Sequence, residues 1–476
     1  MEVIILEFVG RSQELADLGR VLDQVRRSIG GRAPGQCIQM RGRRRIGKSS
    51  LVEEFLLRSE LPSIFFTAER RSSEEELESF WQAVAESAWD GADFAAGVTP
   101  KGWSGALSTL ATALPDDQPT VLVLDEVPYL IEQVPSFEGI LQRAWDRELS
   151  RKPVLLILVG SDLAMMEALN AYDRPFHQRG REMIIGPLSP PAIADMLDLD
   201  PAQAFDAALV TGGLPLICAE WERGQSVTDF LAEAVANPLS ALMVSAERTL
   251  AAEFPAETQP YHVLSAIGSG ERTFTNIGRA AGDIAHTSLS RALDILMAKR
   301  IIEAESPLAL RPVKDKRYRI TDPYLRFWLA FISPNRALIE RRRADLALEK
   351  IRAGWTTWRG RAVEPLLRES LARILPAKGI PAAAAIGSYW TRKNDVEIDI
   401  IGADREPIAR ELHFVGSIKW LENAAFDAHD LAALQRHRVA VSDEPLPLLA
   451  ITRSGTTCNG LDATFGPEDL LAAWQS

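Results

Sequence analysis

Apolar residues follow two rhythms in the N-terminal part of the chain. Compact apolar runs in Gln36–Arg41, Ser63–Thr67, Val121–Leu124 and Val154–Val159 read as buried strands, with a last short strand expected at Met183–Ile185. Between them lie stretches with helical spacing. Leu15, Leu18, Val21 and Leu22 follow an expected N-cap at Ser12; Leu51, Val52, Phe55 and Leu56 share one face of Ser49–Ser59; Ser73–Trp89 is acidic and helical; and Phe137–Leu149 reads as a further helix. Buried strands alternating with helices require a mostly parallel sheet, covered on both faces and joined by right-handed crossovers. The Gly- and Ala-containing stretch from Gly91 to Gly105 reads as a mobile connection.

Farther along, Ser189–Ala252 is Ala-rich and helical, broken at Thr211-Gly212-Gly213-Leu214-Pro215, where a glycine pair ends one helix and a proline starts the next. From Pro260 the elements shorten. Tyr261–Ile267, Thr275–Ala281 and His286–Lys299 read as helices, the last with Leu289, Leu293 and Leu296 on one face. Ile301–Glu305 and Arg317–Ile320 flank a Pro- and Lys-containing loop, as in a two-stranded wing. Ser288, Arg291, Ile295 and Lys299 would then form the outer face of a recognition helix. Tyr318–Asn335 reads as a packed interdomain helix and Ala337–Trp358 as a charged connector. Gly360–Leu375 reads as a helix, followed by strands at Ala385–Trp390, Val396–Ile401 and Ile408–Trp420.

The chemistry is concentrated just after the first strand. Met40–Ser50, MRGRRRIGKSS, holds Gly42, Gly47, Lys48 and Ser49 in the spacing G-x-x-x-x-G-K-S. Glycines there permit torsions that let backbone N–H groups converge on a phosphate at a helix N-terminus. In such a loop, running through Arg43, Arg44, Arg45 and Ile46 to Ser50, Lys48 would bridge the β- and γ-phosphates of ATP and the Ser49 hydroxyl would ligate magnesium (Mg2+). The Val121–Leu124 strand ends in Asp125, expected to hold the metal through water, and Glu126, expected to polarise the attacking water. Ser161 emerges at the same sheet edge, where it either senses the γ-phosphate or caps the next helix. Arg11 precedes the first helix and could approach the adenine side. In the arginine-rich Asp173–Arg181 loop, Arg179 and Arg181 are candidates for neutralising the transferring phosphate, in cis or from a neighbouring subunit; His177 reads as packing or surface. No spacing of His, Cys or carboxylates suggests a zinc site.

Bulk properties narrow the rest. A chain of 476 residues, 46% hydrophobic and 25% charged, is ordinary globular material for two to four domains. Cys37, Cys218 and Cys458 are odd in number and far apart, which excludes a disulfide framework and points to a reducing, cytoplasmic setting. The start carries Glu2 and Glu7 and does not read as a secretory signal, and the longest apolar runs fall short of a membrane span, so no membrane association is expected. The net charge of −12 opposes attraction of the whole molecule to nucleic acid. Yet His286–Arg361 carries seventeen Lys and Arg against eight Asp and Glu, a basic island that makes double-stranded DNA a candidate partner. A wing of this kind serves protein docking as readily.

In the last segment, Glu364 on a helix, Asp399 in the apolar strand VEIDII and Lys419 in a neighbouring strand form the skeleton of a metal-dependent phosphodiesterase site. Plain structural charges are the alternative.

The segments FVGRSQEL, GRRRIGKSSL, VLVLDEVPYL, VGS, GGLPL, YRITDPYLRFW, and EIDII with IKW occur in the order found in archaeal-type P-loop ATPases of the STAND branch of AAA+-like NTPases, and the chain resembles the subgroup with a C-terminal nuclease-like domain. The resemblance implies an α/β fold: a P-loop NTPase core with a parallel sheet and helical lid, then a winged-helix domain, then a C-terminal α/β restriction-endonuclease-like domain of the PD-(D/E)xK kind. Expected boundaries are 1–188, 189–254, 255–335, 336–358 and 359–476. Arg11, the Gly42–Ser49 loop, Asp125, Glu126, Ser161 and Pro215 fall on matching positions. One departure stands out: where such domains carry Glu-x-Lys, this chain has Ser417-Ile418-Lys419, and serine is a poor metal ligand. Glu411 lies roughly 20 Å away along the strand and cannot substitute in place. An alternative register would set Glu411-Leu412-His413 opposite Asp399.

Together these features describe an ATP/ADP-controlled switch that hydrolyses ATP slowly, touches DNA through the winged helix and carries a nuclease-like domain of reduced activity. The rivals are an ATP-gated, magnesium-dependent DNA nuclease and a signalling scaffold that binds a protein partner or its own copies.

Overall fold

The computed structural model describes residues 8–253 and 258–474. The chain divides into two compact units, one ending at Pro187 and one running from Leu188.

The first unit is built on a five-stranded sheet of β1 (Gln36–Arg41), β2 (Ser63–Thr67), β3 (Thr120–Asp125), β4 (Val154–Gly160) and β5 (Arg181–Ile184), in the order β2-β3-β4-β1-β5 and parallel throughout. Every residue of β3 and β4 is buried, which is why those segments read as unbroken apolar runs. Setting β4 between β1 and β3 brings the C-terminal ends of these three strands together: Arg41 lies opposite Gly160, and Leu124 opposite Leu158. This is the α/β fold of a P-loop NTPase core.

Three local expectations change. The first helix, Ser12–Arg27, is preceded by Arg11 in a left-handed conformation (φ 61°), so Ser12 is its first residue and not its cap. The stretch expected to be mobile holds the helices Ala92–Ala96 and Gly102–Ala113. Trp103 pins it down, buried with its ring 5.4 Å from that of Phe80 and 5.0 Å from that of Phe137. One indole outweighs the surrounding glycines and alanines because of the apolar area it buries. The acidic helix ends at Glu86, three residues short of Trp89, and opens with Ser72 and Glu75 in a capping box.

The second unit opens with the helices Pro190–Leu197, Pro201–Thr211, Pro215–Cys218, Val227–Ala236 and Ala241–Glu253. Gly212 and Gly213 both have positive φ, and a Cβ on Gly212 would lie 2.7 Å from that of Tyr324. Helices Gln259–Gly268, Phe274–Ala280 and His286–Ala298 follow, with an antiparallel hairpin of β6 (Ile302–Glu305) and β7 (Arg317–Ile320). Residues from Leu188 to Ile351 share one hydrophobic core.

Tyr318–Asn335 is not one helix. It completes β7, then forms a short helix Pro323–Phe327, a wide π turn Trp328–Ile332 and a 3-10 turn Ser333–Asn335. By contrast, the expected connector and the helix after it are continuous, as Ala344–Ile374. Gly360 does not stop it, and Trp355 and Trp358 anchor it against Phe327. The chain closes with a second sheet of β8 (Ala385–Trp390), β9 (Glu397–Ala403), β10 (Leu412–Lys419), β11 (Leu448–Thr452) and β12 (Ala463–Phe465), ordered β12-β11-β10-β9-β8. β8, β9 and β10 form an antiparallel meander, and the helix Ala428–Val441 carries the chain to β11, parallel to β10. Among the described residues, no single helix is long and apolar enough to cross a membrane.

Candidate functional site

The loop after β1 turns into the helix Lys48–Ser59 through Gly47, which is left-handed at φ 88°. Gly42 has no room for a side chain, since a Cβ there would lie 2.6 Å from the Ile185 carbonyl oxygen. Arg45 is left-handed at φ 63°, and Ile46 is buried and anchors the loop from below. The buried Lys48 ammonium donates to the carbonyl oxygens of Gly42 at 2.8 Å and Arg43 at 3.0 Å, holding the loop in a curl. Ser49 Oγ donates to Asp125 Oδ2 at 2.7 Å, while Asp125 Oδ1 accepts the Glu126 N–H at 2.9 Å. Burial lowers the Lys48 pKa and raises that of Asp125, so each charge is held at a desolvation cost that a bound counter-charge would relieve. Ser50 lies on the exposed side of the helix.

Glu126 is left-handed at φ 53° and starts the helix Val127–Gln133. Its Oε2 accepts Ser161 Oγ–H at 2.8 Å and Ser161 N–H at 3.4 Å. The cap of the helix Leu163–Leu169 is Asp162, whose side chain accepts from Met165 N–H. Ser161 therefore faces the carboxylate at the sheet edge and takes no part in capping.

Arg11 is folded inward, donating to the carbonyl oxygens of Ile46 at 3.0 Å and Gly186 at 2.7 Å and pairing with Glu14 at 3.0 Å. It braces the Gly42–Gly47 loop from behind. Arg179 is clamped on both oxygens of Asp146, at 2.8 and 2.9 Å, and also donates to Pro175 and His177 carbonyls. Arg181 opens β5 opposite Ile38, three residues before the end of β1. At ~3.3 Å per residue this leaves it roughly 10 Å short of the loop. Pro215 starts a short helix in the second unit, after the glycine pair.

The second group of candidates is only partly assembled. Asp399 Oδ2 accepts from Ser417 Oγ at 2.9 Å and Ile418 N–H at 2.8 Å, so Ser417 is the residue opposite Asp399. This overturns the alternative register, because Leu412 pairs with Ala403 and His413 lies against the Ala382 carbonyl. Glu364 does approach Asp399 closely enough to feel its charge, and Arg368 lies beside both, 3.8 Å from the Glu364 carboxylate and donating to the Asp399 backbone carbonyl at 3.0 Å. Burial pushes Glu364 up to about 7. The Lys419 ammonium is paired with Asp430 at 2.5 Å. Among the described residues, no group of three or more His, Cys, Asp or Glu is arranged to hold a metal ion.

On the helix His286–Ala298, Arg291 is exposed and Ser288 half-buried; Lys299, just past its end, is exposed. The start of the β6–β7 loop is packed inward, while Arg311, Lys314 and Lys316 farther along it are exposed. Leu308 is buried, its N–H bonded to the Ser388 carbonyl at 2.9 Å, and Ala309 bonds to the Pro407 carbonyl at 3.2 Å. Arg317 pairs with Glu397 at 2.6 Å, donates to Asn394 at 2.8 Å and lies over the Trp390 ring at 4.3 Å. With Arg317, five of the seventeen basic residues of the island are ion-paired: Arg319 pairs with Glu305, Arg336 with Glu247, Arg343 with Asp345 and Arg359 with Asp206.

Sequence reasoning missed Tyr129 and Arg368 as members of these sites, and it placed Arg44 in the loop without its contacts to Ser161 and Tyr129. Arg368 lies one helical turn from Glu364, a spacing that brings side chains together on one face. Tyr129 had a comparable signal, three residues after Glu126 on the helix that Glu126 opens.

Residues 328–431 match DUF234, a family described as archaeal and bacterial proteins of unknown function. Over 399 residues the chain is 24% identical to Uncharacterized protein MJECL04 of Methanocaldococcus jannaschii, covering 82% of this chain and 83% of that one. Similar solved structures include the Walker-type ATPase PABY2304 of Pyrococcus abyssi, at 18% identity and TM-score 0.48 over 68% of this chain and 96% of that one. The ORC2 protein of Aeropyrum pernix, solved as ADPNP-ADP complexes, is 14% identical with a TM-score of 0.44, over 74% of this chain and 98% of that one.

Proposed function

We propose that this chain binds ATP together with a divalent cation, magnesium by the hardness of its ligands, and hydrolyses it slowly as a nucleotide-controlled switch. The observation that carries the reading is the convergence of Lys48, Ser49, Asp125 and Glu126 at one edge of the parallel sheet, with Ser49 and Asp125 in direct contact. A hydroxyl and a carboxylate oxygen 2.7 Å apart fit a hard cation. Such a cation neutralises charge on the β- and γ-phosphates when bound. Lys48 exchanges the two loop carbonyls for phosphate oxygens, the N–H groups of the loop and of the helix start line the polyphosphate, and Glu126 orients the attacking water.

For the second unit we favour a binding role over DNA cleavage. With Ser417 where a carboxylate is needed, Arg368 beside Glu364 and Lys419 paired with Asp430, the Glu364–Asp399 pair is poorly equipped for two-metal chemistry. Double-stranded DNA would be met by the Ser288, Arg291 and Lys299 face, a protein partner being the alternative.

The deciding experiment measures ATP binding and turnover of the full chain with and without magnesium, and DNA binding and nicking under the same conditions. Lys48→Ala should abolish ATP binding, and Glu126→Gln should retain it while lowering turnover about a hundredfold or more. Full-strength ATP binding by Lys48→Ala refutes the switch. Magnesium-dependent nicking that disappears in Asp399→Ala would establish the nuclease instead.

A further inference from the structure

The arginine best placed to act on the terminal phosphate is neither of those expected from the sequence. Arg179 is held by Asp146, and Arg181 stands well before the end of its strand. Arg44, within the phosphate loop itself, instead reaches across the sheet edge. Its Nε donates to Ser161 Oγ at 3.4 Å, and its terminal nitrogen donates to the Tyr129 hydroxyl. Ser161 has a single hydroxyl proton and gives it to Glu126, so the same oxygen accepts from Arg44. One hydroxyl thus links a guanidinium to the carboxylate expected to orient water.

The other neighbours point the same way. Tyr129 is held by Arg70, whose guanidinium lies 4.3 Å from the ring centroid and whose charge pairs with Glu132 at 3.3 Å. Arg44 is exposed, and its hydrogen-bond partners here are two neutral hydroxyls. It stands close enough to Lys48 to add to the burial that lowers the lysine pKa. Two mutually repelling cations at the mouth of a phosphate loop become favourable once a polyanion lies between them. A phosphate oxygen is also a stronger acceptor for a guanidinium than a phenol or an alcohol.

We propose that Arg44 is a cis-acting arginine that recognises the γ-phosphate of ATP and, by withdrawing its hydrogen bond from Ser161 as it does so, weakens that hydroxyl's hold on Glu126, which then orients the attacking water. The proposal rests on the reading of the loop as an ATP site. In the reaction, the water oxygen forms a bond to the γ-phosphorus as the bond from that phosphorus to the β–γ bridging oxygen breaks. The electron pair of the broken bond stays on ADP, and the water proton passes through Glu126 to solvent. Arg44 neutralises charge that builds on the transferring group, a task that needs no second subunit. With ADP, Arg44 keeps its present partners and Glu126 stays engaged by Ser161.

The test compares the full-length wild type with Arg44→Ala and Arg44→Lys, using magnesium with ADP, with ATP and with a non-hydrolysable ATP analogue. Arg44→Ala should bind ADP within about twofold of wild type but lose roughly tenfold in affinity for the analogue. Its kcat should fall about a thousandfold, and Arg44→Lys should recover part of both losses. Melting temperatures without nucleotide should coincide, because the side chain is exposed and its partners are neutral. Unchanged kcat and an unchanged preference for the analogue over ADP in Arg44→Ala would overturn the role of this arginine while leaving the ATP site intact. If the wild type binds neither nucleotide, the ATP site itself fails and this proposal falls with it.

Discussion

Ser49 Oγ and Asp125 Oδ2 lie 2.7 Å apart, joined by a hydrogen bond between the first turn of a helix and the tip of the neighbouring buried strand. Burial raises the Asp125 pKa, so the carboxylate gains from any cation placed against it. Ser49→Ala and Asp125→Asn should each remove most of the magnesium dependence of nucleotide affinity, a change of roughly tenfold or more. Isothermal titration of ADP with and without magnesium measures it. Equal enhancement by magnesium in the variants and the wild type would remove these two residues from the metal site.

Exposure divides the basic island into two parts. Arg291 and Lys299 are exposed, whereas Arg317 is buried with Glu397, Asn394 and Trp390 around it inside the second unit. Replacing Arg291 and Lys299 by alanine should weaken duplex DNA binding and lower the slope of log affinity against log salt by about two. Arg317→Ala should leave that slope unchanged and lower the melting temperature. Salt-independent or absent DNA binding by the wild type would favour a protein partner for this face.

Legibility of the chain followed the range of the interactions. The glycine-bent loop between β1 and its helix and the strand ending in Asp125 were readable because glycine spacing and unbroken apolar runs are local signals. Parallel alternation was then enough to bring Ser161 to the same edge, although nothing local told which of two neighbours, Ser161 or Asp162, would cap the next helix. The inward packing of the β6–β7 loop at Leu308 was not readable, because it is made by contacts with residues such as Ser388 that lie far along the chain. Arg359 looked like part of a basic surface, yet its partner Asp206 lies 153 residues earlier. The helix Ala344–Ile374 was divided in the reading because its hydrophobic face belongs to two environments, Trp355 and Trp358 against aromatics and Val363 and Leu367 in another core.

That Asp206–Arg359 pair supplies a stability test. Both side chains are almost wholly buried, at 5% and 1% exposure, with Asp206 also meeting Arg453 at 3.0 Å. Asp206→Ala leaves the buried Arg359 and Arg453 guanidiniums to share Glu422, a carboxylate 55% exposed at 2.5 and 3.5 Å from them, as their counter-charge. Removing one partner of a buried pair costs about 3 kcal/mol or more. Denaturant unfolding of the full chain should show that loss in the transition of the second unit, with nucleotide binding by the first unit retained. A loss below ~1 kcal/mol would show that water reaches the pair.

Glu364 should give the second unit a pH-dependent stability. Burial lifts its pKa from the ordinary 4.5 to about 7, against the opposing attraction of Arg368 and Arg326 and with the help of the nearby Asp399 and Glu305 charges. Below pH 4.5 the carboxyl is protonated whether the chain is folded or not. Between 4.5 and 7 the unfolded chain releases this proton while the folded chain keeps it, so the contribution of Glu364 to stability falls as pH rises and levels off above 7. Glu364→Gln removes this proton exchange and keeps a neutral side chain of the same shape. Relative to the variant, the wild type should therefore lose on the order of 2 kcal/mol between pH 5 and pH 8. Denaturation curves for both proteins at several pH values in that window measure the difference directly. Parallel stability profiles would mean that Glu364 ionises at an ordinary pH, with Arg368 supplying full compensation for its burial.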